Sequence, residues 1–338
     1  MINQRGLSRR RLLQVGAAAG FVTMTPAASA NERRGWRSGP SLPFPVQEIY
    51  PCLHDGKIHV AGGFIAENGE ITGPTAAHHA FDPASGIWYI KRPLPTARHH
   101  PQLISYRGRL LCLGGFEADE TGAWQMQSDV WLYNDAEDDW LSLPGLPAPN
   151  GESVAAVMRR KLHVVGGRQP QGERNLDWGD HTDTGAHWVF DGRNWTDAAP
   201  MPTARNSAAG AVIDSRLHIV GGRTVAGGNT AIHEAYDPWS DRWERLAPMP
   251  KGQGGLACAA IGDKLFAFGG EFFNNGGGVY PEAWEYDSLT DRWRSLADMP
   301  QPRHGLGGVA VGQDIYLIGG ALERGGNKTS AAVEIYRP

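Results

Sequence analysis

The chain has 338 residues, with 32 basic against 36 acidic side chains and three cysteines. A formal charge of −4 excludes the strongly basic surface expected of a nucleic-acid binder, and an odd number of thiols excludes complete internal disulfide pairing. Length alone would accommodate two average domains.

Residues 1–30 read as a leader. Ser8-Arg9-Arg10-Arg11-Leu12-Leu13 precedes the apolar stretch Val15 to Met24, too short to span a bilayer, and Ala28-Ser29-Ala30 offers a small-x-small cleavage site. The paired arginines ahead of a leucine pair resemble a twin-arginine export signal; an ordinary Sec signal is the alternative. Either places the mature chain, residues 31–338, in the periplasm or outside the cell, with no membrane association after cleavage. Losing residues 1–30 removes four arginines and no acid, leaving a charge of −8.

From there a Gly-Gly pair recurs six times, at residues 62–63, 114–115, 166–167, 221–222, 269–270 and 319–320. Each follows a short apolar, β-branched run such as Lys57–Ala61 or Leu217–Val220, the signature of a strand. An aromatic follows each pair (Phe81, Tyr133, Phe190, Tyr236, Tyr286, Tyr336), and a tryptophan follows the first five aromatics (Trp88, Trp140, Trp195, Trp243, Trp293). A period near 50 residues indicates a propeller array, with a solenoid as the alternative. The order Gly-Gly, Tyr/Phe, Trp resembles the Kelch repeat over nearly everything after residue 35. The sixth copy runs out at Pro338, and Trp36-Arg37-Ser38-Gly39-Pro40-Ser41-Leu42-Pro43 matches the segment around Trp243. The expectation is an all-β, six-bladed Kelch-type β-propeller closed by the N-terminal strand, which would leave no open sheet edge. Cys52, Cys112 and Cys258 fall in strand-like runs and read as buried free thiols.

The resemblance implies four strands per blade, with ligands at the face where the loop after Gly-Gly meets the turn leading into the next blade's inner strand. Those turns contain Gln47-Glu48, Arg98-His99-His100, Asn150-Gly151-Glu152, Arg205-Asn206-Ser207, Gly252-Gln253-Gly254-Gly255 and Arg303-His304-Gly305; Phe64, Phe116-Glu117, Arg168, Arg223, Glu271 and Ala321 follow the glycines. Arg98, Arg168, Arg205, Arg223 and Arg303 are therefore expected to ring one mouth, with His99, Asn206 and His304 beside them. Guanidinium forks suit carboxylate or phosphate, so the expected ligand is a small anion, an acidic sugar or an acidic peptide. For Arg98, Arg205 and Arg303 the alternative is structural pairing with carbonyls or a carboxylate.

The longest loop, after Gly167, contains Asp177-Trp178-Gly179-Asp180-His181-Thr182-Asp183 and is a candidate lid. Its carboxylates do not have EF-hand spacing, and a solvated acidic loop is expected rather than a metal site. The fifth loop, Glu271 to Tyr280, has aromatics suited to stacking on a sugar. Nucleophile-elbow, zincin, P-loop and dinucleotide motifs are missing, and no cofactor is implied. The Kelch resemblance extends, by compartment and blade number, to exported sialic-acid epimerases. On that alternative Glu271 and His304 would be the catalytic proton carriers; otherwise the chain is a binding module.

Overall fold

The computed structural model describes residues 34–338 apart from 68–69, 119–121 and 123; the expected leader lies outside the described residues. Six four-stranded antiparallel sheets hold most of the strands among the described residues. In each, the second strand is the apolar run before Gly-Gly: Lys57–Ala61, Arg109–Leu113, Lys161–Val165, Arg216–Val220, Lys264–Phe268 and Asp314–Ile318. The innermost strands begin at Cys52, Gln102, Val154, Ala209, Ala257 and Gly307. Each lies beside its counterpart in the next blade, and that of the sixth beside that of the first.

Gly35–Ser38 is the outer strand of the sixth sheet, in register Trp36↔Tyr336 and Ser38↔Glu334 against Val333–Arg337. Trp36 packs on Phe268 and Tyr336, and its indole N–H donates to the Ala297 carbonyl. The same bond recurs around the molecule: Trp88 to Pro40, Trp140 to Arg92, Trp195 to Pro144, Trp243 to Ala199 and Trp293 to Ala247. Each tryptophan thus fills an inter-blade gap with its ring and satisfies a neighbouring carbonyl with its polar edge.

The Gly-Gly pairs are fixed by close approach. The second glycine N–H donates to the carbonyl of one repeat position in the next blade's lead-in turn: Gly63 to Arg98, Gly115 to Asn150, Gly167 to Arg205, Gly222 to Gln253, Gly270 to Arg303 and Gly320 to Val46. All twelve glycines have positive φ, and a Cβ on Gly63 or Gly222 would lie 2.6 or 2.7 Å from a backbone carbonyl of its own blade's turn. Only glycine relieves both constraints. Sequence spacing therefore marks where adjacent blades are bolted together.

Cys52, Cys112 and Cys258 are free. Burial pushes the Cys112 thiol up to about 12 and raises Cys52 and Cys258 as well, which makes them inert at neutral pH.

Candidate functional site at the axial mouth

Six equivalent residues, one per lead-in turn, form a collar around the axis: Glu48, His100, Glu152, Ser207, Gly255 and Gly305. All have left-handed φ, between 48° and 69°. The backbone explains this conformation, because the N–H can then reach the preceding blade's collar carbonyl, as four of the six do. Gly255 donates to Ser207, Gly305 to Gly255, Glu48 to Gly305 and His100 to Glu48, at 2.7–3.0 Å. Glycine adopts this conformation freely, whereas Glu48, His100 and Glu152 hold it against strain, the pattern found at functional positions. Gly305 also makes room, since a Cβ there would meet the Glu48 carboxylate at 2.7 Å.

Side chains from the lead-in turns and from the loops after Gly-Gly close a ring of alternating acid and base, one member from each blade. His100 Nε2 lies 2.8 Å from Glu48 and 3.4 Å from Glu152. Arg223 lies 3.8 Å from Glu152 and is hydrogen-bonded to Glu271. His304 Nδ1 lies 3.6 Å from Glu271 and 3.4 Å from Glu48. The order is Glu48, His100, Glu152, Arg223, Glu271, His304. Arg168 supports Glu152 from behind at 3.5 Å.

The ring sets its own protonation. Burial pushes the Glu48 carboxyl up, but His100 and His304 outweigh it and hold the group well below its ordinary range. Burial likewise opposes, and Arg168, His100 and Arg223 reverse, the shift at Glu152, which stays ionised. Burial lowers His304, yet its bond to Glu48 and the charge of Glu271 raise it overall. His304 Nε2 donates to the Glu323 and Gly325 carbonyls, so both its nitrogens carry protons in the raised form. Arg223, although buried, is held more basic by Glu152 and Glu271. Beneath the ring, burial and then Glu152 and Glu48 push the Tyr50 phenol well above 10.

Above the ring opens a cavity of about 870 Å³. Phe64, Trp124 and Trp178 line it, as do Phe272, Phe273 and Tyr280; Gln47, Asn229, Lys251 and the ring residues Glu48, His100, Glu152, Arg223 and Glu271 supply polar groups. The rim is stitched from blade to blade. Asn175 exchanges two hydrogen bonds with the Met126 backbone. Asp183 accepts from Asn206 and from the Val225 N–H. Glu271 accepts from the Gly325 N–H, and Gln47 donates to Gly326 and Thr329. The expected lid, Asp177–Asp183, is thus part of a braced wall, with the Trp178 ring 3.3 Å from the Arg168 guanidinium. Two of its carboxylates are committed: Asp183 as above, and Asp180, which accepts from the Leu176 and Asp177 N–H groups. Among the described residues no cluster suited to a metal ion occurs.

The expected arginine ring is not assembled as such. Arg223 and Glu271 line the cavity; from behind, His304 reaches Glu271 and Arg168 reaches Glu152. Arg98, Arg205 and Arg303 turn into their own blades. Arg98 donates to the Gly114 carbonyl and to Glu117 and Asp129, stacked on Trp131. Arg205 pairs with Glu234 and with the Gly221, Thr203 and Ile219 carbonyls. Arg303 pairs with Glu334 and the Gln301 and Leu317 carbonyls. A buried guanidinium needs such partners. Asn150 and Gln253 occupy the same repeat position and make the same bond, to Gly166 and Gly269. That substitution was the available signal that the position is structural.

His99 is sandwiched between Phe64 and Phe116, with burial and then His100 holding it neutral; its Nδ1 shares a hydrogen bond with His100 Nδ1 at 2.7 Å. Asn206 serves the rim through Asp183. Glu48, His100 and Glu152 were not singled out from sequence, because their position is shared with Ser207 and two glycines.

Fold and site together define a six-bladed β-propeller with a cavity at an axial mouth. A family model described as the KLHDC2/KLHL20/DRC7 Kelch-repeats domain matches residues 145–320, and the chain belongs to the Kelch-repeat family. It is similar to Kelch-like protein terF of Aspergillus terreus, 28% identical over 190 residues, which cover 55% of this chain and 41% of that protein. It is similar to human Kelch-like protein 34, 28% identical over 221 residues, covering 62% and 32%, and to beta-scruin of Limulus polyphemus, 27% identical over 138 residues, covering 40% and 15%. The chain thus spans less than half the length of these curated relatives. A solved structure titled "Structure of YjhT" superposes with a TM-score of 0.73 over 87% of this chain and 95% of that one, at 17% identity, a likeness of fold.

Proposed function

We propose that this is an exported, small-molecule-binding propeller whose ligand is a sugar-sized, polyhydroxylated molecule seated in the axial-mouth cavity. The observation that carries the reading is the cavity itself: aromatic walls over a floor of already paired charges. Aromatic faces suit the apolar face of a sugar ring, and fixed carboxylates, amides and a guanidinium suit its hydroxyls. An acidic sugar or acidic peptide is the more demanding form of the same reading. Its carboxylate would have to share Arg223 with Glu271, because the other arginines are committed elsewhere.

Calorimetric titration with neutral sugars, uronic acids and acidic peptides tests this, alongside Arg223→Lys. Lysine keeps the charge but not the fork, and losing one charge-assisted bond should weaken sugar binding about ten- to a hundredfold. Binding of peptides but no sugar would overturn the carbohydrate reading.

A second reading, a carbohydrate isomerase, is favoured by one feature: His304 sits as a buried acid between Glu48 and Glu271. Proton NMR of anomer exchange decides it. Acceleration by the wild type, lost in Glu271→Gln with binding retained, would support catalysis; no acceleration leaves a binding module.

A further inference from the structure

Among the described residues, Glu152 is the ring carboxylate with a fully buried oxygen, Oε1, that accepts no hydrogen bond. Its side chain has no exposed surface, yet it forms part of the cavity floor. The two donors nearest that oxygen are spent elsewhere. His100 Nε2 is 3.4 Å away but directs its proton to Glu48 at 2.8 Å. Arg223 Nη2 is 3.8 Å away, and that guanidinium is bonded to Glu271. Arg168 reaches only the other oxygen, Oε2. An ionised oxygen buried without a hydrogen-bond donor is destabilising; Arg168, His100 and Arg223 offset its charge, but none of them donates to Oε1.

We propose that Glu152 is the specificity-determining acceptor of this site, so that the ligand brings a hydroxyl or ammonium donor, and not a carboxylate, to the propeller axis. This deepens the carbohydrate reading and rests on it. It also inverts the charge preference suggested by counting arginines. The neutralised ring would tolerate a neutral or amino sugar, whereas an acid directed at the axis would face Glu152 and Glu48 at close range.

The test uses three probes that share a pyranose ring: D-glucosamine, D-glucose and D-glucuronate, titrated into the full mature chain and followed by ligand-observed NMR. Glucosamine and glucose are expected to bind about ten- to a hundredfold more tightly than glucuronate, the range of one charge-assisted hydrogen bond. In Glu152→Gln that advantage should shrink at least tenfold, because the amide offers a weaker acceptor and no charge. The wild-type ranking stands as a test even if the variant fails to fold. Glucuronate binding tightest, or an unchanged ranking in a folded Glu152→Gln, overturns the assignment while leaving a sugar site intact. Failure of all three to bind overturns the carbohydrate reading and this assignment with it. A crystal soaked with glucosamine that shows only ordered water against Glu152 Oε1 also overturns it.

Discussion

Asn150 and Glu152 are two residues apart in one turn, yet they serve different systems. Asn150 points into its own blade and donates to the Gly166 carbonyl, as Arg98, Arg205 and Gln253 do at the matching positions. Glu152 points to the axis, where its counterparts are Glu48, His100, a serine and two glycines. The inward position keeps its chemistry in four blades because each of them uses it for the same bond. The axial position varies because six copies meet at one place, and each can hold a different part of one site. In a repeat protein, chemistry that recurs marks the scaffold, and chemistry that changes between copies marks the site.

Several variants would break or sharpen that contrast. Deleting residues 31–42 should have the largest effect, because it removes a strand paired with Val333–Arg337 and the packed, hydrogen-bonded Trp36 and uncovers a sheet edge. Severe loss of thermal stability is expected, and unchanged melting would show that the pairing does not close the ring in any energetic sense. Arg205→Ala comes next. Leaving Glu234 buried without its partner should cost about 3–5 kcal/mol, read as a lowered denaturant midpoint, with no selective effect on binding. Loss of binding in a stably folded Arg205→Ala would erase the distinction drawn here. Gln253→Ala removes bonds to Gly269 and Trp284 and should cost less, about 1–3 kcal/mol.

Acid provides a graded test of the scaffold. In three blades a second-strand histidine pairs with a third-strand histidine at 2.9 Å: His59 with His78, His163 with His187 and His218 with His233. Burial, ahead of all other causes, draws His59, His163 and His233 down to about 3 and His78, His187 and His218 down to about 4. An unfolded imidazole protonates near pH 6.5. Below that pH the unfolded chain binds more protons than the folded one, so stability rises with pH across this window. The stabilisation is complete above about pH 6.5 and is lost progressively toward pH 4 and then 3. Melting temperatures recorded from pH 7.5 to 4 should fall, and a flat profile would contradict neutral buried pairs.

The smallest effect on the folded chain is expected from Arg9→Lys with Arg10→Lys. That change should leave stability untouched and block export if the twin-arginine route is used. Normal accumulation of the double variant outside the cytoplasm would point to the Sec route.

The fold was legible because its determinants are local and repeated: Gly-Gly for close approach, Tyr/Phe and Trp for the inter-blade gap. The strand runs before each glycine pair fall where the second strands lie. The site was legible only in part. Arg223 and Glu271 could be placed because they follow Gly-Gly directly. Arg98, Arg205 and Arg303 were grouped with them because sequence does not say which way a side chain leaves a tight turn. Glu48, His100 and Glu152 gain their meaning from partners in other blades, as Arg223 does for Glu152 and His304 for Glu48. No window of sequence contains that pairing.

The ring's alternation also depends on a number. Going around a closed circle, acid and base can alternate without conflict only if the count of members is even. Six blades contributing one residue each satisfy this, and every acid has a base on both sides. A seven-bladed relative built on the same plan would necessarily set two like groups side by side, a repulsive contact in a buried site. It could escape only by making one position neutral. Blade number, usually regarded as a matter of architecture, here determines whether the floor of the site can be electrostatically satisfied by its own residues.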